Sequence, residues 1–227
     1  MTPRWALIII LCALALGRPV AGAEGPGTTA ANFLKIPVGP RQVAMGDQGV
    51  ALAEDAYSLG YNPAGISELD YQEAAFTHTL WMQGISQDYA AYVYPKLGLG
   101  SLGASMNLLQ TGSFQGFDAS GTPAGTVSAQ DLLFSLAYAK HVWGVENPQE
   151  GLGLSAGVSL KVLQERLENN AASGYAGDLG LLCHFPFQGA TIKTGIAVQN
   201  IGSRLSYYGN QEQLPQTLAF GVSGAGR

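Results

Sequence analysis

From Tyr71 to the end of the chain, apolar and small or polar residues alternate with a period of two. In the stretch 152–163, Leu152, Leu154, Ala156, Val158, Leu160 and Val162 share one face, while Gly153, Ser155, Gly157, Ser159 and Lys161 share the other. A strand separates two such sets; a helix would mix them. The same division places Leu102, Ala104, Met106 and Leu108 against Ser101, Gly103, Ser105 and Asn107. It recurs at Leu132–Ala139, at Tyr175–Phe185 (with Gly177 and Leu182 out of step), and at Thr191–Asn200, where Lys193 falls on the polar face. Shorter cases are Gln87–Tyr94 and Thr217–Ser223. The pattern predicts an all-β, antiparallel protein of about eight strands, each about ten to fourteen residues long where about five or six is usual. About ten is what a tilted strand needs to cross a membrane. The non-apolar face is Gly, Ser, Ala and Thr with few charges, unlike the Lys- and Glu-bearing solvent face of a soluble sandwich.

Before the strands lies a segment with no such period, Phe33–Leu69. Val50, Ala51, Leu52 and Ala53 run into Glu54 and Asp55, and Tyr61-Asn62-Pro63-Ala64-Gly65 follows. Pro63 holds Asn62 in extended geometry and suits the first turn of a short helix, with Asn62 as its N-cap. The segment reads as kinked, short-helix material that packs inside or against the strands. The expected division is therefore a leader at 1–23, a plug segment at 24–72 and barrel strands at 73–227.

The leader rests on Arg4, the apolar run Trp5–Leu16 and the small residues Ala21-Gly22-Ala23 before Glu24. The run is short for a retained anchor, and Leu11 before Cys12 does not suit a lipoprotein site. With Cys12 in the leader, Cys183 stands alone, so no disulfide framework or cysteine metal site is expected. Charged residues are 12% of the chain, about half the usual share, and the net charge is −5. No basic run is present to neutralise phosphates, which argues against nucleic acid as a partner.

Connections alternate between short or moderate (96–99, 144–151, 186–190) and long (110–130, 165–174, 202–215), with a short first hairpin at 84–87 as the exception. Short turns at one end and long loops at the other is an outer-membrane barrel pattern. Trp81, Tyr89, Tyr92, Tyr94, Trp143, Phe185, Phe187, Tyr207 and Tyr208 gather near strand ends, as interfacial girdles do, although core aromatics also favour such positions. His78, His141 and His184 lie in different strands without metal-ligand spacing, and read as polar-face or interface residues. Asp178 and Lys161, on inward faces of adjacent strands, are expected to compensate each other's charge in a barrel interior. No serine lies in a nucleophile elbow and no glycine-rich stretch precedes a helix. No enzyme, cofactor or metal is expected.

These residues resemble the PorV/PorQ family, a FadL-like group of outer-membrane proteins. The resemblance is carried by Phe33-Leu34-Lys35-Ile36, Gly39-Pro40-Arg41 through Met45-Gly46, Ala53-Glu54-Asp55-Ala56 and Asn62-Pro63-Ala64-Gly65. A second block is Gly195-Ile196-Ala197-Val198-Gln199-Asn200-Ile201-Gly202, followed by Leu214-Pro215. It implies a FadL-like transmembrane β-barrel in the bacterial outer membrane, of about fourteen strands in the full-size family, whose N-terminal segment is a hatch within the lumen. The role implied is passage of hydrophobic molecules or service in type IX protein secretion. Partners would be outer-membrane lipid and either hydrophobic small molecules or secretion cargo. The hatch motif is Asp55, Asn62, Pro63, Ala64 and Gly65. Lys35 and Arg41 are candidates for holding a ligand carboxylate, or for anchoring hatch to wall, and Lys161, Asp178 and Lys193 are lumen charges. The chain departs from the family in strand number and in having no terminal aromatic, so a piece of a longer reading frame is expected; an eight-stranded barrel could not hold such a plug. A structural or adhesive barrel, or a secreted lipid-binding β-protein, are the competing classes.

Overall fold

The structure is a computed structural model that describes residues 29–226, apart from 53, 96, 97, 169, 208 and 209. The expected leader at 1–23 lies outside the described residues. The fold is mostly antiparallel β, a curled half-barrel sheet with a few short helices in its concavity. The strands are β1 (Glu73–Leu80), β2 (Ser86–Tyr94), β3 (Ser101–Gln110), β4 (Phe114–Phe117), β5 (Pro123–Val127), β6 (Ala129–Gly144), β7 (Gly153–Leu167), β8 (Asn170–Phe187), β9 (Ala190–Gly202), β10 (Leu205–Tyr207), β11 (Asn210–Glu212) and β12 (Thr217–Gly226). Eight of them form one sheet in the order β1-β2-β3-β6-β7-β8-β9-β12, every neighbour antiparallel. The pairs β4–β5 and β10–β11 are small hairpins. Closure of the sheet, expected for a barrel, is not seen: β1 and β12 are its two edges.

The alternation puts apolar residues on the outer face of the sheet and small or polar ones on the inner face. In β7, Val158, Leu160 and Val162 are exposed, while Ser155, Ser159, Lys161 and Leu163 between them are buried. Phe76, Leu102, Phe134, Leu136, Leu179, Phe220 and Val222 continue the exposed apolar set across the sheet. The small and polar face lies inside because another part of the chain covers it.

That cover is the N-terminal segment, referred to here as the plug. It consists of 3₁₀ turns at Asn32–Lys35, Ala56–Gly60 and Pro63–Glu68, and a single helical turn at Pro40–Ala44. Short turns suffice because the wall supplies most of the packing. Leu59 and Ile66 are fully buried against Val93, Ala137 and Ala139 of the wall. Each such side chain contributes about 1.5–3 kcal/mol relative to exposure. Glycines let the plug backbone reach the sheet. Gly157 and Gly180 are cross-strand partners, and a Cβ on either would collide with Asn62–Ala64. Gly195 and Gly221 are likewise partners, under Val50–Ala51. Leu182, out of step in the sequence pattern, is buried against Ala64.

The ends of the sheet differ from expectation in one place. The stretch 165–174 is strand and not a long loop: β7 and β8 run on to a tight turn in which Glu168 takes a left-handed φ of 52°. Their outward residues there, Gln164 and Arg166, are polar, so the alternation continues beyond the apolar band. The stretches 110–130 and 202–215 do extend the same end, as the β4–β5 and β10–β11 hairpins. Tyr89, expected at a girdle, is buried beneath the plug and stacks on Tyr57 at 5.6 Å. Tyr92, Tyr94, Trp81, Trp143 and Phe187 are exposed, and Tyr208 is outside the described residues.

Replacing Gly180 by Val puts side-chain atoms where Asn62 and Pro63 lie. The expected cost is about 1–3 kcal/mol of overpacking, read as a lower urea midpoint, whereas Val158→Leu on the exposed face leaves the midpoint unchanged.

Candidate functional site

The plug–wall interface holds nearly all the buried polar chemistry described for this chain. At its centre is Asn62, held extended by Pro63 (φ −149°) and fully buried. Its Oδ1 accepts from Ala64 N at 3.1 Å and so caps the following turn. Its Nδ2 donates to two carbonyls, Val50 O at 2.8 Å in the plug and Leu181 O at 3.0 Å in β8. A single side chain thus starts the helix, ties the plug to itself and ties it to the wall. Asp55 caps the preceding turn through Tyr57 N at 3.0 Å, and Gln42 Nε2 donates to both its oxygens. Pro63, Ala64 and Gly65 are buried at the wall. Further ties run from Gln199 to Gly60 O at 3.0 Å and from Ser223 to Ala51 O at 2.8 Å. Tyr61 closes the other side, donating to Val38 O at 2.7 Å, and burial pushes its hydroxyl pKa upward.

Lys161 and Asp178 meet inside the wall at 2.7 Å, both almost wholly buried. Asp178 Oδ2 also accepts from Ser159 Oγ, and its Oδ1 accepts from Asn200 N at 2.8 Å. Lys161 donates to Asn200 Oδ1 at 2.9 Å. Asn200 can serve both because it occupies a bulge where two residues of β9 oppose one of β8, with a left-handed φ of 60°. Asn tolerates that conformation better than most residues. The network satisfies both carboxylate oxygens, as a buried ion pair requires.

Lys193, by contrast, faces the plug. Its Nζ lies 3.6 Å from Glu54 Oε1 and 3.6 Å from Glu68 Oε2. Glu54 also accepts from Arg41 Nη1 at 3.0 Å, and Glu68 is 3.4 Å from His184 Nδ1. Burial alone would raise both carboxyl pKa values; the Arg41 hydrogen bond and Lys193 outweigh it at Glu54, and His184 and Lys193 do so at Glu68, so both lie below the ordinary range. Arg41 is therefore a partner within the plug and not a tie to the wall. Lys35 bonds Thr29 and Asn32 at its own exposed turn.

The expected lumen charges thus divide into a pair within the wall and one lysine facing the plug. Glu54, Glu68 and His184 were not assigned this role from the sequence, since Glu68 and His184 are 116 residues apart in numbering and neither breaks the local pattern. His141, expected to be solitary, stacks on His184 at 6.0 Å. Among the described residues no cluster of three or more His, Cys, Asp or Glu is placed to hold a metal ion, and no helix is long and apolar enough to cross a membrane, which does not bear on strands.

Several cavities border the interface, two of them beside the charged groups just described. One of about 740 Å³ opens at the end with the shorter turns, lined by Glu54, Glu68, Lys140, His141, Thr191 and Lys193 among others. A smaller one of about 200 Å³ lies between plug and wall, lined by Tyr61, Tyr89, Ser105, Ser135, Lys161 and Asn200 among others.

Comparison with known proteins places the chain in a family. The model of the uncharacterised protein family UPF0164 matches residues 14–178, which takes in the plug and the wall as far as Asp178. The chain belongs to UPF0164. A UPF0164 protein of Treponema pallidum (strain Nichols) is 26% identical over 214 residues, covering 85% of this chain and 51% of the relative. The chain spans about half the length of that curated relative. The PorV/PorQ resemblance and its FadL-like assignment are thereby corrected. Its motif residues have local packing reasons: Asn62-Pro63-Ala64-Gly65 seats a capped turn on strand glycines, and Asn200 forms the bulge that completes the Asp178 network. Such requirements do not identify a family.

For this UPF0164 chain, Asn62→Ala removes a cap and two buried hydrogen bonds, an expected loss of about 2–4 kcal/mol in chemical unfolding. Lys161→Met alone leaves Asp178 charged and buried, costing about 3–5 kcal/mol, while Lys161→Met with Asp178→Leu recovers most of that loss.

Proposed function

We propose that this chain is a wall-and-plug unit of a bacterial outer-membrane β-barrel, and that its role is the passage of small hydrophobic molecules across that membrane past the plug. The observation that carries the reading is the sidedness of the sheet. Its convex face is a continuous field of exposed Leu, Val, Ile and Phe, and its concave face is small, polar and filled by the chain's own N-terminal segment. Water is a poor solvent for such a field, which is far larger than the scattered apolar residues of a monomer surface. In β7 the outward apolar run Leu154–Val162 covers nine residues, close to the nine to eleven that a tilted strand uses to cross hydrocarbon. Charged outward residues lie beyond it: the His78–Asp88 pair and Arg166 at one end and Lys140 at the other.

A spanning sheet leaves no unpaired edge in hydrocarbon, so in the membrane-embedded form β1 and β12 must be joined to further strands. The longer UPF0164 relative is consistent with a larger barrel, since an interior closed by eight strands is filled by its own side chains. A second reading is a structural barrel with a permanent plug, favoured by the close backbone packing at Gly157, Gly180 and Gly195.

The test is insertion from urea into phospholipid vesicles of the protein with β1 and β12 joined to the further strands that the reading requires, followed by flotation and protease digestion. The expected result is a vesicle-bound, protease-resistant wall, with Leu160→Arg and Leu136→Arg each reducing insertion by about 2–4 kcal/mol. Full solubility with no flotation would sink the membrane reading. Uptake of a fluorescent fatty acid into vesicles carrying the protein separates passage from the structural alternative, which predicts uptake no faster than protein-free vesicles.

A further inference from the structure

Among the described residues the wall offers two lysines to the interior, and they are bonded in different ways. Lys161 sits 2.7 Å from Asp178 with both partners in strands, and also donates to Asn200 Oδ1 while Asp178 accepts from Ser159 and Asn200. Lys193 spans two plug carboxylates at 3.6 Å each, beyond the 2.7–2.9 Å of a charge-assisted hydrogen bond. The first geometry stabilises the wall whatever the plug does. The second is ionic attraction across a boundary, and it borders the 740 Å³ vestibule.

The positions of the two carboxylates add a second observation. Glu54 lies just before the turn Ala56–Gly60, and Glu68 ends the turn Pro63–Glu68. They bracket the most deeply buried part of the plug, and both reach one lysine of β9. Glu54 is also held from the plug side by Arg41, and Glu68 from the wall side by His184 and, at 3.4 Å, by Ser155 Oγ. A continuous charge path therefore runs Arg41–Glu54–Lys193–Glu68–His184, crossing between plug and wall at Lys193 and His184.

We propose that Glu54, Lys193 and Glu68 form a clasp: loss of its charge lowers the cost of locally opening residues 56–68 toward the vestibule at the short-turn end. This rests on the wall-and-plug reading above. The groups facing the clasp and the segment are Arg41 from the plug, His184 from β8, His141 from β6, Glu73 of β1, which accepts from Ala56 N at 3.0 Å, and Asp70 from the chain entering β1. The outward Lys140 of β6, and Glu146 from the turn after β6, line the vestibule. Because both carboxyls titrate below their ordinary value of 4.5, their contribution is fully present above that pH and is lost as pH falls through the depressed values. Neutral solution holds the clasp shut and acid opens it.

The experiment is backbone hydrogen exchange read by mass spectrometry on the full chain, in vesicles and in detergent micelles. Lys193→Gln at pH 7 is expected to speed exchange within 56–68 about tenfold or more, leaving β6–β8 unchanged, as local opening does. Wild-type protein is expected to show the same gain, after correction for intrinsic rates, as pH falls through the depressed carboxyl values. Glu54→Gln with Glu68→Gln is the second variant, with the same expected gain at pH 7 and no further gain in acid. Unchanged exchange in 56–68 for folded variants overturns the clasp, and so does an equal gain throughout the wall. Failure of the wild type to enter vesicles overturns the membrane reading instead, and the detergent comparison then decides the clasp by itself.

Discussion

Main-chain contact between the plug and the inner face of the sheet is the constraint on which the rest depends. Pro63, Ala64, Val50 and Ala51 lie where side chains of Gly157, Gly180, Gly195 and Gly221 would otherwise be. Where the plug backbone lies against the sheet the inward residues are glycines, and the neighbouring large residues Val158, Leu160, Leu179 and Leu181 point outward. The contact also removes the plug backbone from water, which obliges each of its polar groups to find a partner. Asn62, Gln199 and Ser223 meet that requirement by donating to plug or wall carbonyls. The polar ties at the interface are thus a consequence of that packing, and the glycines that permit it alternate with the outward apolar residues.

The interior carries charge in two forms with different physical meaning. At Lys161–Asp178 the Asn200 bulge completes a closed network, and a closed network in a low-dielectric site is rigid. At Lys193 the longer separations and the adjoining vestibule leave the attraction dependent on charge alone. The charge at Lys193 is thus one tie among several between plug and wall, beside the packing of Leu59 and Ile66 and the hydrogen bonds of Asn62 and Gln199.

Strand positions and their two faces were legible because a period of two survives any twist of the sheet. Which face points inward was legible only indirectly, from the scarcity of charge on the small-residue side. The capped turn at Asn62–Pro63 was readable because proline and its neighbour restrict one another locally. The tight turn at 168 was missed because Gln164 and Arg166 look like loop residues once the apolar band has ended. The partners of Lys193 were illegible for a different reason: Glu68 reaches His184 and Lys193 only after the plug folds back into the sheet, and no local pattern encodes that return. Family membership was misread because residues that satisfy a packing geometry resemble one another across families.

The most direct test of the account is a spin-label scan of positions 158–163 in β7 of the vesicle-inserted protein, measuring collision with oxygen and with a water-soluble nickel complex. The account predicts oxygen-rich, nickel-poor environments at 158, 160 and 162, alternating with low access to both at 159, 161 and 163. Nickel access at 158, 160 and 162 equal to that of an exposed loop position would contradict it, because the convex face would then be in water.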